Sequence, residues 1–201
     1  MSQAISHTND HHEEHEHHED LSVLGFWLFL VSDVILFGTI FATFMVLRSH
    51  FDGGPTGKEL FEAPGYITET FLLLTSSFTS GLATLAMHKG KVKQLIGWLI
   101  VTALLGLGFI GFEVSEFANM VSEGATISRS AFLTAFFTLV GTHGLHVSVG
   151  LCWMTAIIIQ LKQNGINALT TRKVTLVSLY WHFLDVVWIF LLTIVYLMGV
   201  M

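Results

Sequence analysis

An all-α, polytopic membrane bundle of five spanning helices follows from three observations. The chain has 201 residues, of which 52% are hydrophobic and 12% charged, against about a quarter charged in soluble domains. Its apolar residues collect in five runs, about 22–48, 66–88, 94–118, 131–161 and 173–199, each long enough to cross a ~30 Å hydrocarbon core as a helix of about 20 residues. The runs are continuously apolar and lack the alternation of period two that marks a membrane barrel strand.

Residues 1–21 form a cytoplasmic tail apart from the helical domain at 22–201. The first twenty residues hold six acids, six histidines and no Lys or Arg. Such a segment buries no core and is expected to be disordered in water, although His-rich tracts bind metals. The first run carries one acid, Asp33, which reads as a packing hydrogen bond to a neighbouring helix or subunit. The loop at 49–65 brings Glu62 to the entry of the second run, where the helix dipole favours an acid. Glu69, early in that run, is expected near the outer interface and solvated. Ser76, Ser77, Ser80 and Gly81 follow. Gly106, Gly108 and Gly111 mark the third run, and Gly141, Gly144 and Gly150 the fourth. Small residues let helices approach closely in lipid, where packing drives association. The third and fourth runs exceed the minimum span, so tilt or interfacial extension is expected.

Three runs carry polar pairs three residues apart: Glu113 with Glu116, His143 with His146, and His182 with Asp185. That spacing places both members on one helix face. A charge at bilayer depth costs about 2.5–3.5 kcal/mol or more, so these groups are expected to face the bundle interior, pair with each other or serve function. A compact bundle could bring acids of one helix to histidines of another, and acid and His chains in membranes also carry protons. Trp181 and Trp188 share a face and pack either inside the bundle or onto a partner. A di-iron bundle would need Glu-x-x-His on two helices, and none occurs in the spans, so no metal site is expected. The single cysteine, Cys152, excludes an internal disulfide and a Cys-held iron–sulfur cluster. No P-loop, covalent-haem motif or nucleophile motif is present, and no catalytic residue is assigned.

Basic residues set the orientation. Lys89, Lys91, Lys93, Lys162, Arg172 and Lys173 lie on loops two and four, against Arg48, Lys58 and Arg129 on the opposite side. The positive-inside rule puts loops two and four in the cytoplasm. Five crossings then place the N-terminus inside and the C-terminus outside.

At the polar pairs the sequence resembles a known family. Gly141-Thr-His-Gly-Leu-His-Val147 and Tyr180-Trp-His-Phe-Leu-Asp-Val-Val-Trp188 are similar to hallmarks of subunit III of haem–copper terminal oxidases. Phe61-Glu-Ala-Pro64 resembles the family's Phe-Glu-x-Pro turn, and Ser115-Glu-Phe117 its acidic helix motif. Five helices rather than seven, with Gly53–Lys58 and the ending Val195–Gly199, resemble the quinol-oxidase branch, either bo-type with ubiquinol or aa-type with menaquinol.

The resemblance implies a non-catalytic subunit of a bacterial complex that couples quinol oxidation and reduction of dioxygen to water with proton translocation. It implies no cofactor on this chain, with haems and copper in subunit I. It further implies direct docking on subunit I, with subunits II and IV in the complex, phospholipid in a cleft, and no nucleic acid. The location implied is the bacterial cytoplasmic membrane. Glu62, His143 and His146 are implied to support the lipid cleft and proton uptake. Asp33, Glu113, Glu116, His182 and Asp185 are implied to tie the helices together. The alternative reading is a small proton- or metal-conducting transporter that uses the intramembrane Glu and His residues. An inverted repeat would favour it, and the odd helix count argues against one.

Overall fold

A computed structural model describes residues 3–50 and 63–197, with side chains from 23 and from 65 onward in the two stretches. It consists of helices α1 (Gln3–Leu47), α2 (Ala63–His88), α3 (Val92–Ser122), α4 (Ala131–Asn164) and α5 (Ala168–Leu191), and a π-helical segment at Leu192–Leu197. There is no strand among the described residues. Five spans are long and apolar enough to cross a membrane: Val23–Leu47, Gly65–His88, Val92–Ser122, Ala131–Asn164 and Ala168–Leu197. Their limits follow the apolar runs because the solvent, hydrocarbon or water, changes where the runs end. The α1 backbone continues to Gln3, beyond the start at 22 that the apolar run suggested. Extending a formed helix adds one hydrogen bond per residue without the cost of a nucleus, and residues 3–20 contain no Gly or Pro.

The chain divides into two units, 1–39 and 40–201. In the first, Leu30, Asp33 and Phe37 share one stripe of α1, at spacings of three and four. The second unit holds α2–α5 and the end of α1. There, Phe41 meets Phe190 at 6.4 Å and Phe44 meets Phe132 at 6.0 Å between ring centroids. The Phe132 backbone N–H also donates to His50 O at 3.2 Å.

From α2 to α5, short connections make successive helices antiparallel neighbours. Two of them use the same stop signal. At the end of α2, Gly90 (φ +67°) lets its N–H reach Met87 O while Lys91 N–H reaches Ala86 O. At the end of α3, Gly124 (φ +84°) lets its N–H reach Val121 O while Ala125 N–H reaches Met120 O. Both are Schellman motifs, which satisfy the last helical carbonyls and need a left-handed residue. Ser130 caps α4 by accepting the Leu133 N–H at 3.1 Å. Asn167 and Thr170 form a capping box on α5, each side chain accepting the other's backbone N–H at 2.8 Å. Within the second unit, α2 packs on α3 and α5, and α4 packs on α3 and α5. The core between these four helices is where the polar groups meet.

Candidate functional site

The α2–α5 seam is a ladder of side-chain hydrogen bonds. The Trp188 indole N–H donates to Thr70 Oγ1 at 3.1 Å, and the Trp181 indole N–H donates to Ser76 Oγ at 3.0 Å. Ser77 Oγ and His182 Nδ1 lie 2.8 Å apart. Ser178 Oγ lies 3.1 Å from Ser80 Oγ and accepts from Thr84 Oγ1 at 3.2 Å. On the other face of α2, Thr79 and Thr102 join α2 to α3 at 2.8 Å. Tyr180 OH donates to His146 O at 3.2 Å, and Lys173 Nζ to Gln160 Oε1 at 2.8 Å, so α5 is tied to α4 as well. Each such bond in a membrane is worth ~0.6 kcal/mol on average. The ladder therefore fixes register and rotation through its number of rungs more than through any single rung.

Both tryptophans pack inside the bundle, each about 1% exposed, which decides between the two placements the sequence left open. The small residues give them room. A Cβ on Gly106 would sit 2.8 Å from Trp181 Cη2, and one on Gly150 would sit 3.1 Å from Tyr180 Cε1.

The pair His182 and Asp185 is close on its own helix, with Nδ1 and Oδ2 3.8 Å apart. His182 Nδ1 also lies within hydrogen-bond distance of Ser77 Oγ on α2. His143 is fully buried, with its ring 5.8 Å from Phe109 and 5.4 Å from Trp188. His146 Nδ1 lies 2.7 Å from Thr142 O on its own helix.

A second polar centre lies between α2, α3 and α4. Glu69, Glu113 and Glu116 act on one another electrostatically, and all three act on Tyr196. Glu69 is 1% exposed, which corrects the expectation of a solvated interfacial residue. Its position along the chain marks depth, whereas the face of α2 on which it lies points inward. Glycine backbone leaves space for two of the carboxylates: a Cβ on Gly65 would sit 3.3 Å from Glu116 Oε1, and one on Gly144 would sit 2.6 Å from Glu113 Oε1.

The π-helical segment buries Tyr196, whose ring packs 5.2 Å from Tyr66 and 6.2 Å from Phe136. Wide turns of this kind often mark functional positions, and the sequence reading passed over Tyr196. Two stripes would have revealed the ladder: Thr70, Ser77 and Thr84 at intervals of seven on α2, and Ser178, Trp181, His182, Asp185 and Trp188 on α5. No group of three His, Cys, Asp or Glu side chains among the described residues is placed to hold a metal ion. Glu62 lies outside the described residues.

Comparison with known proteins bears on what such a bundle does. A family model described as cytochrome c oxidase subunit III matches residues 4–200. The chain is 51% identical to the cytochrome bo(3) ubiquinol oxidase subunit 3 of Pseudomonas aeruginosa over 207 residues, covering 99% of each chain. It is 53% identical to the quinol oxidase subunit 3 of Bacillus subtilis over 179 residues, covering 89% of this chain and 88% of that one. It is 45% identical to a probable quinol oxidase subunit 3 of Staphylococcus saprophyticus over 196 residues, covering 97% and 98%.

Proposed function

The chain belongs to the cytochrome c oxidase subunit III family, and we propose that it steadies the redox subunit of a quinol oxidase without carrying a redox centre itself. It is a multi-pass membrane protein and a subunit III of a haem–copper quinol oxidase, acting with the other oxidase subunits. On our reading haems and copper reside in subunit I, against which this chain docks directly, with subunits II and IV in the same assembly. The complex couples quinol oxidation and dioxygen reduction to proton translocation across the bacterial cytoplasmic membrane.

The observation that carries this reading is how the spans use their polar groups. Thr70, Ser76, Ser77, Ser80 and Thr84 on α2 are matched to Ser178, Trp181, His182 and Trp188 on α5. A transporter needs polar groups turned toward a path, whereas these are turned toward one another. Glu62, with His143 and His146, supports phospholipid retention and sustained proton uptake on the same reading. An affinity tag on this chain, with mild detergent, should recover a complex with haem and copper that oxidises quinol. Recovery of the chain alone, with the oxidase activity left behind, would overturn the assignment.

Orientation gives a second test. The six basic residues of loops two and four favour the cytoplasmic side. A reporter fused before Met1 should read as inside and one fused after Met201 as outside. The reverse pattern would contradict the charge argument.

A further inference from the structure

Six of the eleven histidines stand in the first twenty residues: His7, His11, His12, His15, His17 and His18. The α2–α5 seam is built from other residues, so the oxidase reading leaves these unused. The backbone of α1 runs helically through them from Gln3, before the first span begins at Val23. That turns a composition into a register. In a disordered chain a His-rich tract has no faces, whereas on a helix each position has a fixed place.

His7, His11, His15 and His18 follow one another at intervals of four, four and three. At 3.6 residues per turn these positions fall within about 80° of one helix face. Positions three or four apart on a helix have Cβ atoms about 5–6 Å from each other, and two histidines four apart are a zinc-ligand pair in helical metal sites. Imidazole nitrogen suits zinc, copper and nickel. His12 and His17 fall outside this stripe, and His17 has no histidine three or four positions away.

The neighbouring charges are those a cation needs. Asp10, Glu13, Glu14, Glu16, Glu19 and Asp20 share the tract, and the first twenty residues hold no Lys or Arg. Charge of one sign over so short a stretch raises the local concentration of a divalent cation. Carboxylates or water complete the tetrahedral shell that a pair of histidines leaves open.

We propose that the stripe His7, His11, His15 and His18, on the extension of α1 ahead of its span, is a binding site for a divalent transition cation of the zinc class, with His11 and His15 as its central ligand pair. A cation held across one turn also fastens the helical backbone there, because metal binding is coupled to the order of the segment that supplies the ligands. The site belongs to α1 alone and stands whether or not the oxidase reading holds.

The test is calorimetric titration with zinc chloride alone. The full-length chain is purified in mild detergent, in the assembly it comes with, through a tag other than polyhistidine, and is washed with a chelator. Deletion of residues 2–20 subtracts zinc bound anywhere else, and the full-length chain is expected to bind at least one zinc more than the deleted one. Two double variants then separate register from composition, since each keeps four of the six histidines. His11→Ala with His15→Ala leaves no two histidines three or four apart, whereas His12→Ala with His17→Ala leaves the stripe whole. The first should weaken the tail's zinc binding by at least about tenfold, the least that losing even an outer partner of a metal ligand costs. The second should leave it unchanged. Equal zinc binding with and without the tail would overturn the proposal. So would a loss in the His11 and His15 variant no greater than in the His12 and His17 variant, which would mean that the tract binds by composition and not by face.

Discussion

Gly144→Ala should loosen the bundle by about 1–3 kcal/mol, the cost of forcing extra volume into a packed interior. The added Cβ would lie 2.6 and 2.7 Å from the two Glu113 carboxylate oxygens and 2.9 Å from Cδ. Glu113 is 4% exposed, so its carboxylate gives way only by turning into the space that it lines with Gly144 between α3 and α4. Gly81→Ala is the control. It lies on α2 with nothing within 4 Å of the added atom, so it should be neutral or stabilising by up to ~1 kcal/mol, since alanine is the better helix former. Unfolding in mixed micelles titrated with a denaturing detergent measures both. Equal behaviour of the two variants would show that the Gly144–Glu113 approach does not constrain the helices.

Trp181→Ala should be the costliest single truncation in the α2–α5 seam, at about 2–4 kcal/mol. Tryptophan truncations in soluble cores cost 3–5 kcal/mol. The figure here is lower because the separated helices still sit in lipid, so transfer from water contributes little. What is lost is the packing of a fully buried indole and its N–H bond to Ser76. The same indole makes Gly106 sensitive, since a Cβ there would meet Cη2 at 2.8 Å and Cζ2 at 2.9 Å. Gly106→Ala should therefore be destabilising in the wild type and much milder beside Trp181→Ala. A double-mutant cycle should return a coupling of about 1 kcal/mol or more. Simple additivity would mean that the glycine is not there to seat the tryptophan.

The five spans were legible because the bilayer imposes one demand, a continuous apolar run, and the sequence meets it five times. The shared face of Trp181 and Trp188 was legible from their spacing alone. The partners of polar groups were not. Ser76 and Ser77 read as packing residues, yet each meets a specific donor or acceptor about a hundred positions away, at Trp181 and His182. Nothing local to α2 announces those contacts. Glu69 was misread because depth along a span says nothing about azimuth, and its neighbours Glu113 and Glu116 come from another helix. Tyr196 was missed because it owes its position to a widened turn, which shifts the register over Leu192–Leu197. The Schellman glycines, Gly90 and Gly124, are local features and could have been read from the chain.

We propose that this chain supports a quinol oxidase whose chemistry lies on another subunit, and deleting it from the complex separates support from catalysis. The remaining subunits should be purified with full haem content, and quinol oxidation followed from the first turnover to the last. The initial rate per haem should be close to that of the intact complex, followed by faster loss of activity as turnovers accumulate. Absence of activity from the first turnover, in a complex with its haems and copper in place, would contradict it and would put an obligatory electron or proton step on this chain.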